Sequence, residues 1–424
     1  MKRDSEYQNI QLLMLLVVLA MLSRLCSVEA KAQTDTVNVP GYFQSGGMEG
    51  TLNTAVTAAI NDSTISNKVF KLKQFEWYVL NASITIPQGK HLTIVADEPG
   101  TTQESAPPQI LWSAAGGITT LYNFNCFGDI TLKNVWLLYA TTAGTQTSTS
   151  LRIQESLDSI HGQHATFEGV LFDYSVRGTD GSGAVSVTSK HFRGKFTNCY
   201  FRNCADSRFE NYGRAISFPF QSTGWHIDSL TFDNCTFANM GYVQNQEGGE
   251  YADFVRYNHC TFVNTMMFTL QSGWWHWLSI SNSVFVNAHM MGDFPAQRLP
   301  GEQPYGGTIS IDSVARFGFP VPFTDVNRHI LFTHSSYEIQ DWLRDYMAHG
   351  DLCFPDSAYR PHPQPMMNAR ALSFFDAVVN GQKVFPFMNR AQLHDYVDPG
   401  FVFAPTNRTG IKRFLYYKWC GGGR

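Results

Sequence analysis

Charge is scarce in this 424-residue chain: Asp, Glu, Lys and Arg together make up 16% of it, and the formal net charge is −4. No basic stripe occurs, which argues against a phosphate-binding surface and against nucleic acid as a partner. Cysteine is present, but the seven that follow residue 32 (126, 199, 204, 235, 260, 353 and 420) lack the paired spacing of a disulfide framework or a zinc site. No phosphate loop, dinucleotide fingerprint or Gly-x-Ser-x-Gly elbow is found. Long apolar runs are missing except at residues 12–22, a stretch shorter than the ~20 residues that a membrane span requires. Lys2 and Arg3 precede that run, and small residues at Ala30 and Ala32 follow it. Residues 1–32 therefore read as a signal peptide, and the remainder is expected to be secreted or at the cell surface, with no transmembrane segment.

Phenylalanine, by contrast, is abundant: there are 32. Many sit in a repeated octad, Phe196-Thr-Asn-Cys-Tyr-Phe-Arg-Asn203, Phe232-Asp-Asn-Cys-Thr-Phe-Ala-Asn239, Tyr257-Asn-His-Cys-Thr-Phe-Val-Asn264 and Ile280-Ser-Asn-Ser-Val-Phe-Val-Asn287. Weaker copies begin at Leu132, Phe167 and Phe332. The third positions (134, 169, 198, 234, 259 and 282) are 35, 29, 36, 25 and 23 residues apart. Apolar residues alternate on either side of a polar third position, which predicts a strand, a one-residue corner and a second strand. Asn suits the corner because it tolerates the left-handed backbone conformation. A unit this small cannot bury its own apolar face, so consecutive units must stack. The class expected is all-β, a parallel β-solenoid over 68–337. Cys199, Cys235 and Cys260 should form an inner column, and Asn198, Asn234 and Asn282 an amide ladder. Gln221, Gln246 and Gln271, each 25 residues from the next, suggest the ends of a third strand in three successive turns.

Residues 33–67 read as a lead-in segment whose helix, from Thr51 to Ile60, closes the first turn. Strands are predicted at Val69-Phe-Lys-Leu72, Trp77-Tyr-Val-Leu80, Ile84-Thr-Ile86 and Leu92-Thr-Ile-Val95. Residues 338–424 change character: helical periodicity at 339–347 and 369–379 flanks a Pro-rich stretch, so this part is read as a C-terminal cap or appended region with short helices. With a cover at each end, the chain is expected to be a monomer.

The octads and the opening phrase YVLNASITIPQGKHLTIVADEPG resemble the right-handed parallel β-helix of the pectin lyase-like superfamily over roughly residues 68–337. That resemblance implies an extracellular polysaccharide, acidic and uronate-containing, lying along a groove beside one sheet. A uronate lyase needs a base for the C5 proton and a cation for the carboxylate. Arg214, Arg256 and His276 are the candidate catalytic residues. Gln221, Gln246, Gln271, Trp274 and Trp275 are candidates for holding sugar, and Glu247, Glu250 and Asp253 for holding Ca²⁺ through oxygen. No other cofactor is indicated. The catalytic signatures of known members of the superfamily are missing: Trp225-His-Ile-Asp228 and Tyr251-Ala-Asp-Phe-Val255 match none in order. Two readings follow, a polysaccharide lyase-like protein or a non-catalytic adhesion solenoid.

Overall fold

The corners come out as the octad requires. Asn134, Gly169, Asn198, Asn234, His259, Asn282 and His334 have φ between 48° and 62°. Each of these from 134 to 282 donates its backbone N–H to the carbonyl just before the corner of the next coil, as in Asn198 to Asp233 (3.0 Å) and Asn234 to Asn258 (2.9 Å). The ladder therefore continues through the bend, and the N–H groups of these corners are paired. At 169 a Cβ would lie 2.4 Å from Asn134 Oδ1, so glycine leaves room for that amide.

The computed structural model describes residues 35–115, 122–155, 157, 162–177, 181–206, 213–219, 226–290, 308–311, 329–338, 340–343, 378–379 and 382–383. Within these the chain is a parallel β-helix. Its strands form parallel sheets of 16 and 10 strands that make three faces. The first face runs from Asp35–Val39 through Lys68–Leu72, His91–Ala96, Asp129–Lys133, His164–Glu168 and Phe192–Thr197 to His226–Asp233 and beyond. The second, across the octad corner, runs from Trp77–Leu80 to Ser336–Glu338. The third includes Ile84–Ile86, Tyr122–Cys126, Ser150–Gln154, Val185–Thr188 and Arg214–Ser217. The first and third merge because Tyr242–Asn258 and Leu270–Ser281 run unbroken from one to the other.

The bore is filled by two aromatic columns. On the first face Phe167, Phe196, Phe232 and Tyr257 stack at centroid distances of 4.7 Å. On the second, Phe172, Phe201, Phe237, Phe262 and Phe285 stack at 4.3–5.3 Å. The columns meet edge to face, as in Phe232 against Phe237 at 5.3 Å, the arrangement that ring quadrupoles favour. Between them lies the predicted sulfur column. Cys199, Cys235 and Cys260 are buried free thiols that donate to the carbonyls of Phe167, Phe196 and Phe232. Hydrogen bonding to Cys199 raises the Cys235 thiol pKa, and burial raises that of Cys260, so both stay protonated.

The amide ladder differs from expectation. Asn234 Nδ2 donates to Asn198 Oδ1 at 2.7 Å, but His259 interrupts the column, and Asn282 turns to Asn258 instead. The longer ladder stands at the eighth octad position, where Asn203, Asn239, Asn264 and Asn287 also have positive φ (49–58°). Their amides link Asp173, Asn203, Asn239, Asn264, Asn287 and Gln340 at 2.7–3.5 Å. The octad thus encodes two corners.

At the N-terminal end, the helix Thr51–Asn61 turns buried Leu52, Val56 and Ala59 toward the first coil. Its start is Gly50 at φ 72°, with no side-chain cap. The lead-in segment also supplies a strand that the sequence reading left out, Asp35–Val39, paired in register with Lys68–Leu72. The leader, and most of the region after 338, lie outside the described residues. Within that region Val378–Val379 pairs antiparallel with Gln382–Lys383, where a helix end was expected. Asn380-Gly381 between them is a hairpin-turn dipeptide in the sequence.

Candidate functional site on the outer first face

Strict alternation along a first-face strand puts one outward residue between two inward ones, as Arg193 sits between buried Phe192 and Gly194. From the next coil onward there are two. Asp228 and Ser229 lie between buried Ile227 and Leu230, Asp253 and Phe254 between Ala252 and Val255, and His276 and Trp277 between Trp275 and Leu278. The pairing shows why: Phe192 faces Ile227 while Arg193 faces Ser229, so the later strand carries an extra residue, a β-bulge. The two following coils repeat the insertion in register. A bulge ladder therefore brings two carboxylates and an imidazole to one level of three consecutive coils.

Around it the surface is polar and aromatic. Asp228 accepts from His191 Nδ1 (3.1 Å) and Arg193 Nε (3.3 Å). Tyr251, on the same strand as Asp253, has its hydroxyl pKa raised by burial and by the charges of Asp253 and Asp228. Exposed His276 lies 6.1 Å from the His329 ring, which packs on Trp277 at 4.8 Å. One residue pair along, Lys195, Thr231, Arg256 and Ser279 form the next outward column. Arg256 Nη2 bonds Asp233 Oδ2 at 2.6 Å. Toward the N-terminus the same face continues through His164, Asp129 and His91.

No family model matches the chain, and no curated protein matches it.

The structure gathers Asp253, Arg256 and His276, three of the residues singled out from the sequence, on this one face. It places others elsewhere. Trp275 is fully buried in the bore, and its indole N–H donates to Gln246 Oε1 at 3.1 Å. Gln246 also accepts from Gln244, which in turn accepts from the Tyr257 hydroxyl. The glutamine column does not form. Asn245, not Gln246, pairs with Gln271, and Gln246 pairs with Ser272. This one-residue slip turns Gln246 inward and leaves Gln271 outside, accepting from Asn245 at 2.8 Å. Arg214 is 2% exposed; it donates to the Gly181 carbonyl at 3.0 Å and lies over the Tyr242 ring. Gln221 and the side chains of Trp274, Glu247 and Glu250 lie outside what the structure describes. Among the described residues no group of three His, Cys, Asp or Glu could hold a metal ion. Sequence reasoning missed Asp228, His191, Arg193, Trp277 and His329. The available signal was an apolar pair three residues apart, recurring as Ile227-Asp-Ser-Leu230, Ala252-Asp-Phe-Val255 and Trp275-His-Trp-Leu278.

Two imidazoles of this face resist protonation. Burial, and then the charge of His164, lowers the His91 pKa against the opposing pull of Asp129; burial, and then His276, lowers that of His329. Folded pKa values below the unfolded value of about 6.5 mean that the unfolded chain binds these protons first. Stability is thus full above that value and falls as pH drops through it toward the folded values. Melting temperature should be lower at about pH 5.5 than at about pH 8, and His91→Gln should reduce the difference. A Tm that rises on acidification over that range would contradict this.

Proposed function

We propose that the outer first face binds an extended, uronate-containing polysaccharide outside the cell and cleaves it by β-elimination at the bulge ladder. The observation that carries this is the position of His276. The bulge sets it outward and exposed, one coil from Arg256 and beside Trp277. A coil step of about 4.8 Å and three residue steps of about 3.3 Å set the Cα atoms of base and cation about 11 Å apart, about two sugar units, a gap that Arg256 would narrow by swinging its guanidinium from Asp233 toward the polymer. His276 would take the C5 proton; the C4–C5 double bond forms as the C4–O bond breaks, and the leaving oxygen takes a proton from water. Arg256 would offset the charge that develops on the uronate carboxylate. Trp277 offers an apolar face for a sugar ring.

A second reading has its own observation. Asp228 and Asp253 occupy equivalent positions on adjacent coils, and a carboxyl pair about one strand spacing apart is the arrangement of a retaining glycosidase. One experiment separates the readings. The protein is incubated with polygalacturonate and with alginate, with and without calcium, and both ultraviolet absorbance of unsaturated ends and new reducing ends are followed. Rising absorbance supports elimination. Reducing ends without absorbance assign the chemistry to the aspartates. Binding with no new ends of either kind sinks both and leaves an adhesion solenoid.

A further inference from the structure

The N-terminal end of the coil carries a feature that the first-face site does not use. A groove of about 420 Å³ opens at the corner that follows Lys68–Leu72, lined among others by Asn38, Gln44, Lys71, Lys73, Gln74 and Glu104. It lies five strand steps, about 24 Å, from the first bulge. Lining residues Gln44 and Gln74 are each followed or preceded by an exposed aromatic: Phe43 is 58% exposed and Phe75 is 49% exposed.

Both rings are held out deliberately by the backbone. Phe75 has φ 55°, a conformation in which a bulky residue is a genuine outlier and for which Asn or Gly would serve at lower cost. Its N–H is fastened to the Ala106 carbonyl at 2.9 Å. The Phe43 loop is pinned from below. Buried Glu76 accepts from the Phe43 N–H at 3.0 Å, and Gly41 leaves the room that this carboxylate fills, since a Cβ there would lie 2.4 Å from Glu76 Oε2. Trp77 supports the Phe43 ring at a centroid distance of 5.1 Å. A left-handed Phe opposes folding, so the exposed Phe75 ring is not explained by stability. The groove is lined by amides, ammonium groups and the carboxylates of Asp97 and Glu104, with Lys71 ion-paired to Asp97 at 2.8 Å, and the two exposed rings adjoin its lining residues Gln44 and Gln74 in the chain. Such a combination matches a ligand that is hydroxyl-rich on its edges and C–H-rich on its faces.

We propose that this groove is a separate carbohydrate subsite that takes one or two pyranose units of a glycan, with Phe43 and Phe75 against the sugar C–H faces and Gln44, Lys73 and Glu104 on its hydroxyls. The fixed loops make the subsite preorganised, which limits the ordering entropy lost on binding. It does not depend on cleavage at the first face.

The test uses the whole protein and two probes, cellotetraose and tetragalacturonate, which distinguish a neutral from an acidic sugar. Binding is measured by calorimetry, and Tm is measured alongside. At least one probe is expected to bind, and Phe43→Ala and Phe75→Asn should each weaken it by about tenfold, equivalent to about 1.4 kcal/mol. Phe75→Asn should also hold or raise Tm, because Asn accepts the positive φ. Cellotetraose carries no carboxylate, and Phe43 and Phe75 lie about 24 Å from the first bulge, so weakened binding in their variants separates this outcome from that at the first face. Binding of neither probe overturns the proposal, as does unchanged affinity in both variants. A fall in Tm on Phe75→Asn also overturns it, by marking the ring as a packing residue.

Discussion

Replacing Phe232 by alanine is expected to destabilise the coil by about 3–5 kcal/mol. The ring is fully buried and stacked at 4.7 Å on Phe196 on one side and on Tyr257 on the other, with Phe237 edge-on at 5.3 Å. Each neighbour belongs to a column that continues on both sides, so the surroundings cannot collapse into the space without breaking further stacks. In a solenoid each coil is held mainly by its nearest neighbours. The loss therefore falls on the two interfaces that flank this coil and should appear as earlier local unfolding there. Urea denaturation followed by circular dichroism measures it. Phe43→Ala at the exposed N-terminal rim serves as the contrast, with little expected change. A loss below about 1 kcal/mol for Phe232→Ala would mean that the stacks do not carry the core.

His276→Ala is expected to lower the rate of unsaturated-end formation by about 10²–10⁴-fold, the usual contribution of a positioned general base. His276 is exposed and its neighbours Trp275 and Leu278 anchor the strand inward, so folding should be unaffected. The decrease should appear in kcat more than in KM, because Trp277 and the cationic column still hold the polymer. Equal far-ultraviolet spectra of variant and parent make the comparison valid. An unchanged rate would remove His276 from the chemistry, and reducing ends that vanish in Asp253→Asn would then move it to the carboxylates.

Much of the fold could be read directly from the octads. Asn134, Asn198 and Asn234 mark left-handed corners whatever surrounds them, and Phe196 or Phe237 must face inward once the strands on either side of the corner are fixed. The cap helix was legible for the same reason: Leu52, Val56 and Ala59 recur at helical spacing and are the residues it buries. Less of the site could be read. The column of Gln221, Gln246 and Gln271 was inferred from equal spacing in sequence, but spacing counts loop residues that pair with nothing. The register instead sets Gln246 opposite Ser272 and turns its amide into the bore, beside Trp275 and Tyr257.

What the sequence by itself determined is local: strand, corner, strand, and which side chains are apolar enough to stack. Those follow from φ preferences and from burial within a few residues. What only the tertiary structure decided is which polar residues meet. The extra residue at Asp228, repeated at Asp253 and His276, becomes an outward ladder only because adjacent coils share it in register. No spacing along one strand fixes a pairing between strands 23 or 25 residues apart. That pairing is set by the hydrogen bonds of coil on coil and by the inward fit of Ile227, Ala252 and Trp275.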